Sequence, residues 1–279
     1  MAQARRDRGA MLIWVAALHC EASPVIDFYR LRKSQGEKAF DLYLGDDMAC
    51  IVSGVGKLAS AAASAWMAAR YRDEASLAWI NIGTAGAARH DIGAIFLLDK
   101  IVDGDTAKCY FPAPTSIPLL PGSACLTLSQ PSRDYREDCL FDMEASGFIS
   151  SALRFSSAEL IRCIKVVSDN RHAETGRNRE QVSALIRQHI DSIEQQTTDL
   201  LALNNEVAAL EFSAESWQRL LALAHFTQTQ QNRLRVLWRY LHNRDLGPEA
   251  LLQELSTRRT AASMIDMLER ISHGNSETL

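Results

Sequence analysis

The residues of this chain best suited to chemistry fall in five polar or glycine-containing clusters, each placed just after an apolar run. Leu12 to Leu18 leads to Glu21, and Met48 to Val52 leads to Ser53-Gly54-Val55-Gly56-Lys57. Leu77 to Ile82 leads to Gly83-Thr84-Ala85-Gly86, Leu140-Phe141 to Asp142-Met143-Glu144, and Ile164 to Val167 to Ser168-Asp169-Asn170. Carboxylates such as Glu21, Glu144 and Asp169 can exchange protons with a reacting group or accept hydrogen bonds from paired hydroxyls. Small residues at Ala85 and Gly86 let the backbone approach a ligand closely, and Thr84 adds a hydroxyl donor. Each cluster taken alone also has a plain structural reading. Asp142 or Glu144 can serve a helix N-terminus, a role that suits Asp142 better, and Asp169 can be an N-cap or turn residue.

Continuous apolar runs of this length suit strands buried on both faces, as in a mostly parallel sheet covered by helices. Ligands of such sheets sit beyond the carboxyl ends of the strands, so the acids and two glycine turns are expected at one mouth. The pattern predicts a first strand from Met11 and a short helix from Ser23 to Leu31, with Ser23 as N-cap and Pro24 at its first position. A hairpin follows at Phe40–Leu44 and Met48–Val52, then an alanine-rich helix over Leu58–Tyr71 and a strand over Ala94–Val102. Pro112, Pro114, Pro118 and Pro121 make Tyr110 to Gly122 a loop or sheet edge. A short strand at Cys125–Leu128 precedes helices at Ala145–Phe155 and from Arg177 onward. After about Thr175 the periodicity is helical throughout, in runs near 177–210, 214–243 and 248–272. An α/β domain at 11–210 followed by an all-helical extension at 211–279 is expected.

A length of 279 residues fits one large domain, or one of about 200 residues with a smaller unit. The net charge of −4 argues against a dominant nucleic-acid footprint. Cys20, Cys50, Cys109, Cys125, Cys139 and Cys163 show no metal or CxxC spacing and read as small hydrophobes in a reducing cytoplasm; no metal site is expected. Arg5, Arg6 and Arg8 precede an apolar run too short for a secretory signal, and no stretch approaches the length of a membrane helix.

Gly54-Val55-Gly56-Lys57-Leu58-Ala59 fits the dinucleotide pattern G-x-G-x-x-G/A, but the next strand ends in Asn81-Ile82-Gly83-Thr84 with no acid for a ribose. A Walker A loop is excluded because position 51 is Ile and position 58 is Leu. Taken together, the order of the five clusters resembles the nucleoside phosphorylase superfamily, and within it the branch of methylthioadenosine/S-adenosylhomocysteine nucleosidases. The likeness runs from about Met11 to Asn170, with the helix after Arg177 matching the family's last helix. It implies a nucleoside phosphorylase-like central mixed sheet flanked by helices.

The resemblance also implies roles. Glu144 would grip the ribose hydroxyls, with Met143 packed on the sugar. Asp169, oriented by Ser168, would protonate N7 of a purine, which requires burial to raise its pKa. Glu21 would activate water at the anomeric carbon, while Thr84, Ala85, Gly86 and Gly54 would line the substrate. Hydrolysis is preferred because the arginines that surround phosphate in the phosphorylases have no counterpart at the matching positions; Lys57 and Arg89 are the other cations nearby. No cofactor is implied, beyond inorganic phosphate if the chain is a phosphorylase. The rivals are a non-catalytic nucleoside-binding protein whose helical tail engages a partner, and, further off, a dinucleotide-dependent oxidoreductase.

The family's base-stacking aromatic lies in a segment that is short here, Ser129 to Leu140, leaving Tyr110, Phe111 and Tyr135 as replacements. The C-terminal helices are expected to cover the core or build a homo-oligomer interface, then to dock another protein. Binding nucleic acid through Arg233, Arg235, Arg239 and Arg244 is the least favoured role. Trp217 and Trp238 read as core.

Overall fold

The structure, a computed structural model, describes residues 9–72, 74–112, 120–131, 135, 137–171, 177–209, 214–242 and 248–272. The chain divides into two units, one from Gly9 to Asn205 and a second taking in the residues from Glu206 onward.

In the first unit β1 (Ala10–Ala16) runs parallel to β4 (Met48–Val52) on one side and β5 (Ser76–Ala87) on the other. Beyond β4 come β3 (Asp41–Leu44) and β2 (Arg32–Lys33), both antiparallel, forming an open wing. On its other side β5 pairs in parallel with β10 (Ile161–Asn170). From β10 the sheet continues antiparallel to β6 (Ile95–Asp103), which also carries the short β7 (Cys109–Tyr110). It then passes through β8 (Gly122–Thr127) to β9 (Leu140–Asp142), which returns antiparallel to the end of β5 at Gly86↔Phe141. Five strands, β5, β10, β6, β8 and β9, thus close into a ring. This is a mixed sheet flanked by helices.

The helices of this unit are α1 (His19–Phe28), α2 (Lys57–Arg70), α3 (Ala145–Ala152), α4 (Arg179–Arg187) and α5 (Ile190–Ala209). The core takes the fully buried side chains Ile13, Val15, Ile51, Trp79, Leu98 and Phe148. Gly147 sets the packing of α3 on α2. A Cβ there would lie 1.9 Å from the carbonyl oxygen of Lys57, so only hydrogen permits this approach.

Four expectations need correction. The first helix begins at His19, with Leu18 as its extended N-cap, so Pro24 lies inside it and Ser23 is not its cap. Pro24 tolerates that position because Cys20 O, the carbonyl its missing N–H would have served, accepts instead from Ser23 Oγ at 3.4 Å. Residues Gly83 to Gly86 are not a turn: β5 runs through them to Ala87. The helix from Arg177 is two helices, broken where the Gln188 and His189 side chains both reach Gly93 O, at 3.2 and 2.6 Å. The runs after 214 likewise split into α6 (Ala214–Ala222), α7 (Gln228–His242), α8 (Pro248–Ser256) and α9 (Ala261–Ser272). At the start of α7 Thr227 and Gln230 cap one another, Thr227 N to Gln230 Oε1 at 2.9 Å and Gln230 N to Thr227 Oγ1 at 3.3 Å.

The second unit has a core of its own, with Leu220, Leu234, Trp238, Leu255, Met264 and Leu268 fully buried or nearly so. Trp217 is buried with them, and Arg235 lies over its ring at 4.9 Å. Arg233 pairs with Glu269. Arg244 lies outside the described residues, as does most of the proline-bearing segment after Pro112. Among the described residues no helix is long and apolar enough to cross a membrane. Five cysteines are buried and Cys109 is exposed, and none is in a disulfide.

The α2–α3 crossing yields a prediction. Gly147→Ala forces a backbone collision and is expected to cost at least about 1–3 kcal/mol, the usual range for overpacking. Urea unfolding of the variant beside Ser150→Ala, on the same helix, checks it; equal midpoints for both would contradict the packing described.

Candidate functional site

A buried ion pair underlies the site. Lys165 stands in the middle of β10, in the apolar run Cys163 to Val167, and its Nζ lies 2.9 Å from Asp142 Oδ2 at the end of β9. Both side chains are out of contact with solvent. Asp142 Oδ1 accepts from Thr127 Oγ1 at 2.7 Å, and Oδ2 accepts from Ala145 N at 2.8 Å, tying β8, β9 and the first turn of α3 together. Burial alone would push the Asp142 carboxyl up, but Lys165 and these donors hold it below its usual range. Burial would likewise discharge Lys165, and the charges of Asp142 and Glu144 instead hold its pKa above the ordinary lysine value.

Glu21 is the third residue of α1 and closes the helix start by accepting from Leu18 N at 3.1 Å through Oε2. Its other oxygen accepts from both Thr84 N and Thr84 Oγ1 at 2.8 Å. Gly83 makes this possible: a Cβ there would lie 3.2 Å from Glu21 Oε1 and 3.5 Å from Lys165 Nζ. A glycine within a strand here marks a close approach, and the group approaching is a carboxylate.

Glu144 follows β9 and precedes α3. Its Oε1 accepts the Gly56 N–H at 2.7 Å, across from the turn that opens α2. Gly56 (φ 103°) and Gly54 (φ 84°) adopt the left-handed backbone that this turn requires. Glu144 is 93 % shielded, and burial raises its pKa, with Asp142 and Glu21 adding to the rise while Lys165 and Gly56 oppose it. The other oxygen, Oε2, has no hydrogen-bond partner among the described residues.

Asp169 is positioned by a bulge. The β5–β10 register shifts between Val167 and Asp169, and the displaced Ser168 donates to Asp169 Oδ1 at 2.6 Å. Tyr135 donates its hydroxyl to Asp169 Oδ2. The hydroxyl end of its ring lies against Gly86, where a Cβ would come within 2.8 Å of three ring and hydroxyl atoms, and it packs on Phe141 at 5.2 Å. Arg171 holds the Tyr135 carbonyl. Burial and the Asp169 carboxylate push the Tyr135 phenol well up.

These groups surround one cavity of about 180 Å³, lined by Glu21, Thr84, Ala85, Gly86, Met143, Glu144, Ser168 and Asp169, with Ala17, Leu18, Val55, Tyr135, Phe141 and Asp142 among the rest of the wall. Gly54 is not part of this wall; it shapes the turn, donating to Ala17 O at 3.1 Å, and Val55 lines the cavity in its place. Of the three aromatic replacements only Tyr135 reaches the cavity. Tyr110 sits in β7 paired to Ile101, and Phe111 is exposed. Lys57 is held by Asp103 at 2.9 Å and Asp105 at 2.6 Å, and Arg89 pairs with Asp138 on the surface. Among the described residues no lysine or arginine lines the wall. Among the described residues no three His, Cys, Asp or Glu side chains are grouped to hold a metal.

Sequence reasoning missed Lys165. Its one signal was a lysine four residues before Asp169 inside an apolar strand, which has to be paired if the strand is buried. Removing one partner of such a pair strands the other, so Lys165→Met is expected to cost about 3–5 kcal/mol. Lys165→Met combined with Asp142→Asn should recover a large part. Chemical denaturation of the wild type, both single variants and the double variant checks this; additive losses would show that the two groups do not depend on each other.

No protein-family model matches the sequence, and no curated protein matches it. Solved structures do match. A 5′-methylthioadenosine nucleosidase of Arabidopsis thaliana aligns with a TM-score of 0.55 at 16% identity, covering 70% of this chain and 96% of that one. The 5′-methylthioadenosine/S-adenosylhomocysteine nucleosidase of Helicobacter pylori gives 0.56 at 10% identity, covering 68% and 99%. Futalosine hydrolase of H. pylori gives 0.54 at 11%, covering 67% and 98%. Over about two thirds of its length, the chain therefore has the fold of the methylthioadenosine/S-adenosylhomocysteine nucleosidases.

Proposed function

We propose that this chain hydrolyses the N-glycosidic bond of a purine nucleoside or a related ribosyl compound. The observation that carries this reading is the convergence of Glu21, Glu144 and Asp169 on one cavity, in whose wall the described residues include no lysine or arginine. Breaking a glycosidic bond builds positive charge on the sugar and negative charge on the leaving base. Carboxylates near the sugar stabilise the first, and a proton delivered to the base relieves the second.

In this mechanism Glu144 Oε2 accepts from the ribose hydroxyls while its Oε1 stays on Gly56. Met143 packs on the sugar. Asp169, oriented by Ser168, delivers a proton to the base as the bond to C1′ lengthens. Glu21, held by Thr84, takes a proton from the water that adds to C1′, so that free base and free sugar result. A base that reaches Asp169 takes the place of the Tyr135 hydroxyl, and the Tyr135 ring then turns aside to pack against the base.

Water is the nucleophile in this reading because a phosphate would enter a wall in which the described residues supply acids and no counter-ion, Lys57 and Arg89 both being engaged elsewhere. The same proposal assigns 11–210 to the nucleosidase-type domain and 211–279 to an all-helical extension. The separate apolar core of the C-terminal helices supports that division. Self-association is the role we assign to the extension.

A panel of ribonucleosides assayed for free base tests the reading. Base release without added phosphate is expected, and Asp169→Asn should lower kcat by about 10²–10⁴-fold, the usual contribution of a general acid. Glu144→Gln should fall with it while binding of the free base persists. Unchanged turnover in both variants, or strict dependence on inorganic phosphate, would refute the hydrolytic assignment.

A further inference from the structure

A second ion pair stands just behind the site, and the mechanism above gives it no part. Lys57 opens α2, and its Nζ reaches across to Asp103 Oδ2, at the end of β6, at 2.9 Å. The two side chains are 18 % and 11 % exposed, so the pair escapes most of the screening that weakens a surface pair. Asp105 also meets Lys57, at 2.6 Å, but its side chain is 56 % exposed. Neither Lys57 nor Asp103 is in the cavity wall, so neither touches a ligand bound there.

What the pair does reach is the setting of Glu144, from two directions. Glu144 Oε1 depends on the Gly56 N–H, which belongs to a turn whose glycines, Gly54 and Gly56, have no side chain to fix it. Lys57, the next residue, supplies the anchor, with its carbonyl oxygen packed against Gly147 and its ammonium on Asp103. Asp103 Oδ2 also accepts from Ser146 Oγ at 2.7 Å, two residues beyond Glu144. Ser146 N in turn donates to Thr127 Oγ1 at 3.0 Å, and Thr127 Oγ1 donates to Asp142 Oδ1, two residues before Glu144. One carboxylate thus ties the turn that holds Glu144 to the chain that carries it. Its other oxygen, Oδ1, is fixed by Asp105 N, Thr106 N and Thr106 Oγ1 at 3.0–3.1 Å. Burial alone would raise the Asp103 carboxyl, but Ser146, Lys57 and Thr106 bring it well below its usual range.

We propose that Lys57 and Asp103 are a positioning pair that holds the Gly54–Gly56 turn on Glu144, and that preference for ribosyl over deoxyribosyl compounds depends on it. The proposal rests on the nucleosidase reading, in which Glu144 Oε2 accepts from the ribose hydroxyls. A carboxylate restrained through Oε1 presents Oε2 in one direction, where a sugar hydroxyl can donate to it. Without the pair the glycine turn is free to carry the Gly56 N–H away, and the carboxylate loses its fixed donor. Recognition of the hydroxyl then suffers, while a sugar that lacks the hydroxyl has nothing to lose.

The test compares adenosine and inosine with their 2′-deoxy and 3′-deoxy forms in the wild type, Asp103→Asn, Lys57→Met and Lys57→Arg, with Asp105→Asn as control. Binding is read by calorimetry and turnover by free-base release, each as the ratio of ribosyl to deoxyribosyl compound. The wild type should favour the ribosyl compounds. That ratio should fall about tenfold in Asp103→Asn and Lys57→Met, the size of one hydrogen bond to a charged group, and the fall should come from the ribosyl compound alone. Lys57→Arg, which keeps the cation, and Asp105→Asn should retain the ratio. Asp103→Asn keeps the side-chain shape and an acceptor for Ser146, so it carries the comparison if Lys57→Met does not fold. A ratio unchanged in Asp103→Asn, equal losses for both kinds of sugar, or no ribosyl preference in the wild type overturns the proposal and leaves base release, the mark of the hydrolase reading, standing. The expected fall in binding ratio without release of base from any compound supports the proposal and refutes the hydrolase reading. Failure of every compound to bind overturns both.

Discussion

The buried pair of Asp142 and Lys165 is the interaction on which the rest of this site depends. A lone charge at either position would be prohibitive, and the pair is tolerated because every oxygen of Asp142 is occupied and Lys165 has several acids around it. That requirement fixes the end of β9 against β10 and sets where α3 begins, and so determines where Glu144 points. The same ammonium moderates the rise that burial imposes on Glu144.

The second organising device is the absence of side chains at chosen points. Gly83 leaves room for Glu21, Gly86 for the Tyr135 ring, and Gly147 for the carbonyl of Lys57. In each case another group of the protein occupies the space a Cβ would need. The glycines of β5 thus work inside a continuous strand and not as a loop around a ligand. Tyr135 is in contact with Gly86, Phe141 and Asp169 at once and so closes one side of the cavity.

Much of the site was legible in the sequence because the chemistry sits at strand ends, and strand ends show as the point where an apolar run meets small or acidic residues. Glu21, Thr84, Met143, Glu144, Ser168 and Asp169 all line one cavity, as the order of the five clusters predicted. Gly54 was assigned to the wall because turn glycines often face ligands, whereas here its positive φ serves the turn and Val55 provides the surface. Helix boundaries were less legible. The start of α1 depends on a carboxylate reaching back to Leu18, and the break after α4 on two side chains finding Gly93. The break before α7 was written in plain sight as Thr227 followed three residues later by Gln230.

By itself, then, the sequence determined the alternation of strands and helices, the helical periodicity of the C-terminal part, and which polar clusters end the apolar runs. These follow from periodicity and from the cost of burying polar groups, both of which are local properties of the chain. Tertiary structure alone decided the closure of five strands into a ring, the pairing of Lys165 with Asp142, and the seat of Tyr135 on Gly86. Each of these joins residues far apart along the chain through contacts of a few ångströms. No local pattern encodes such contacts, because they depend on how distant strands choose their register.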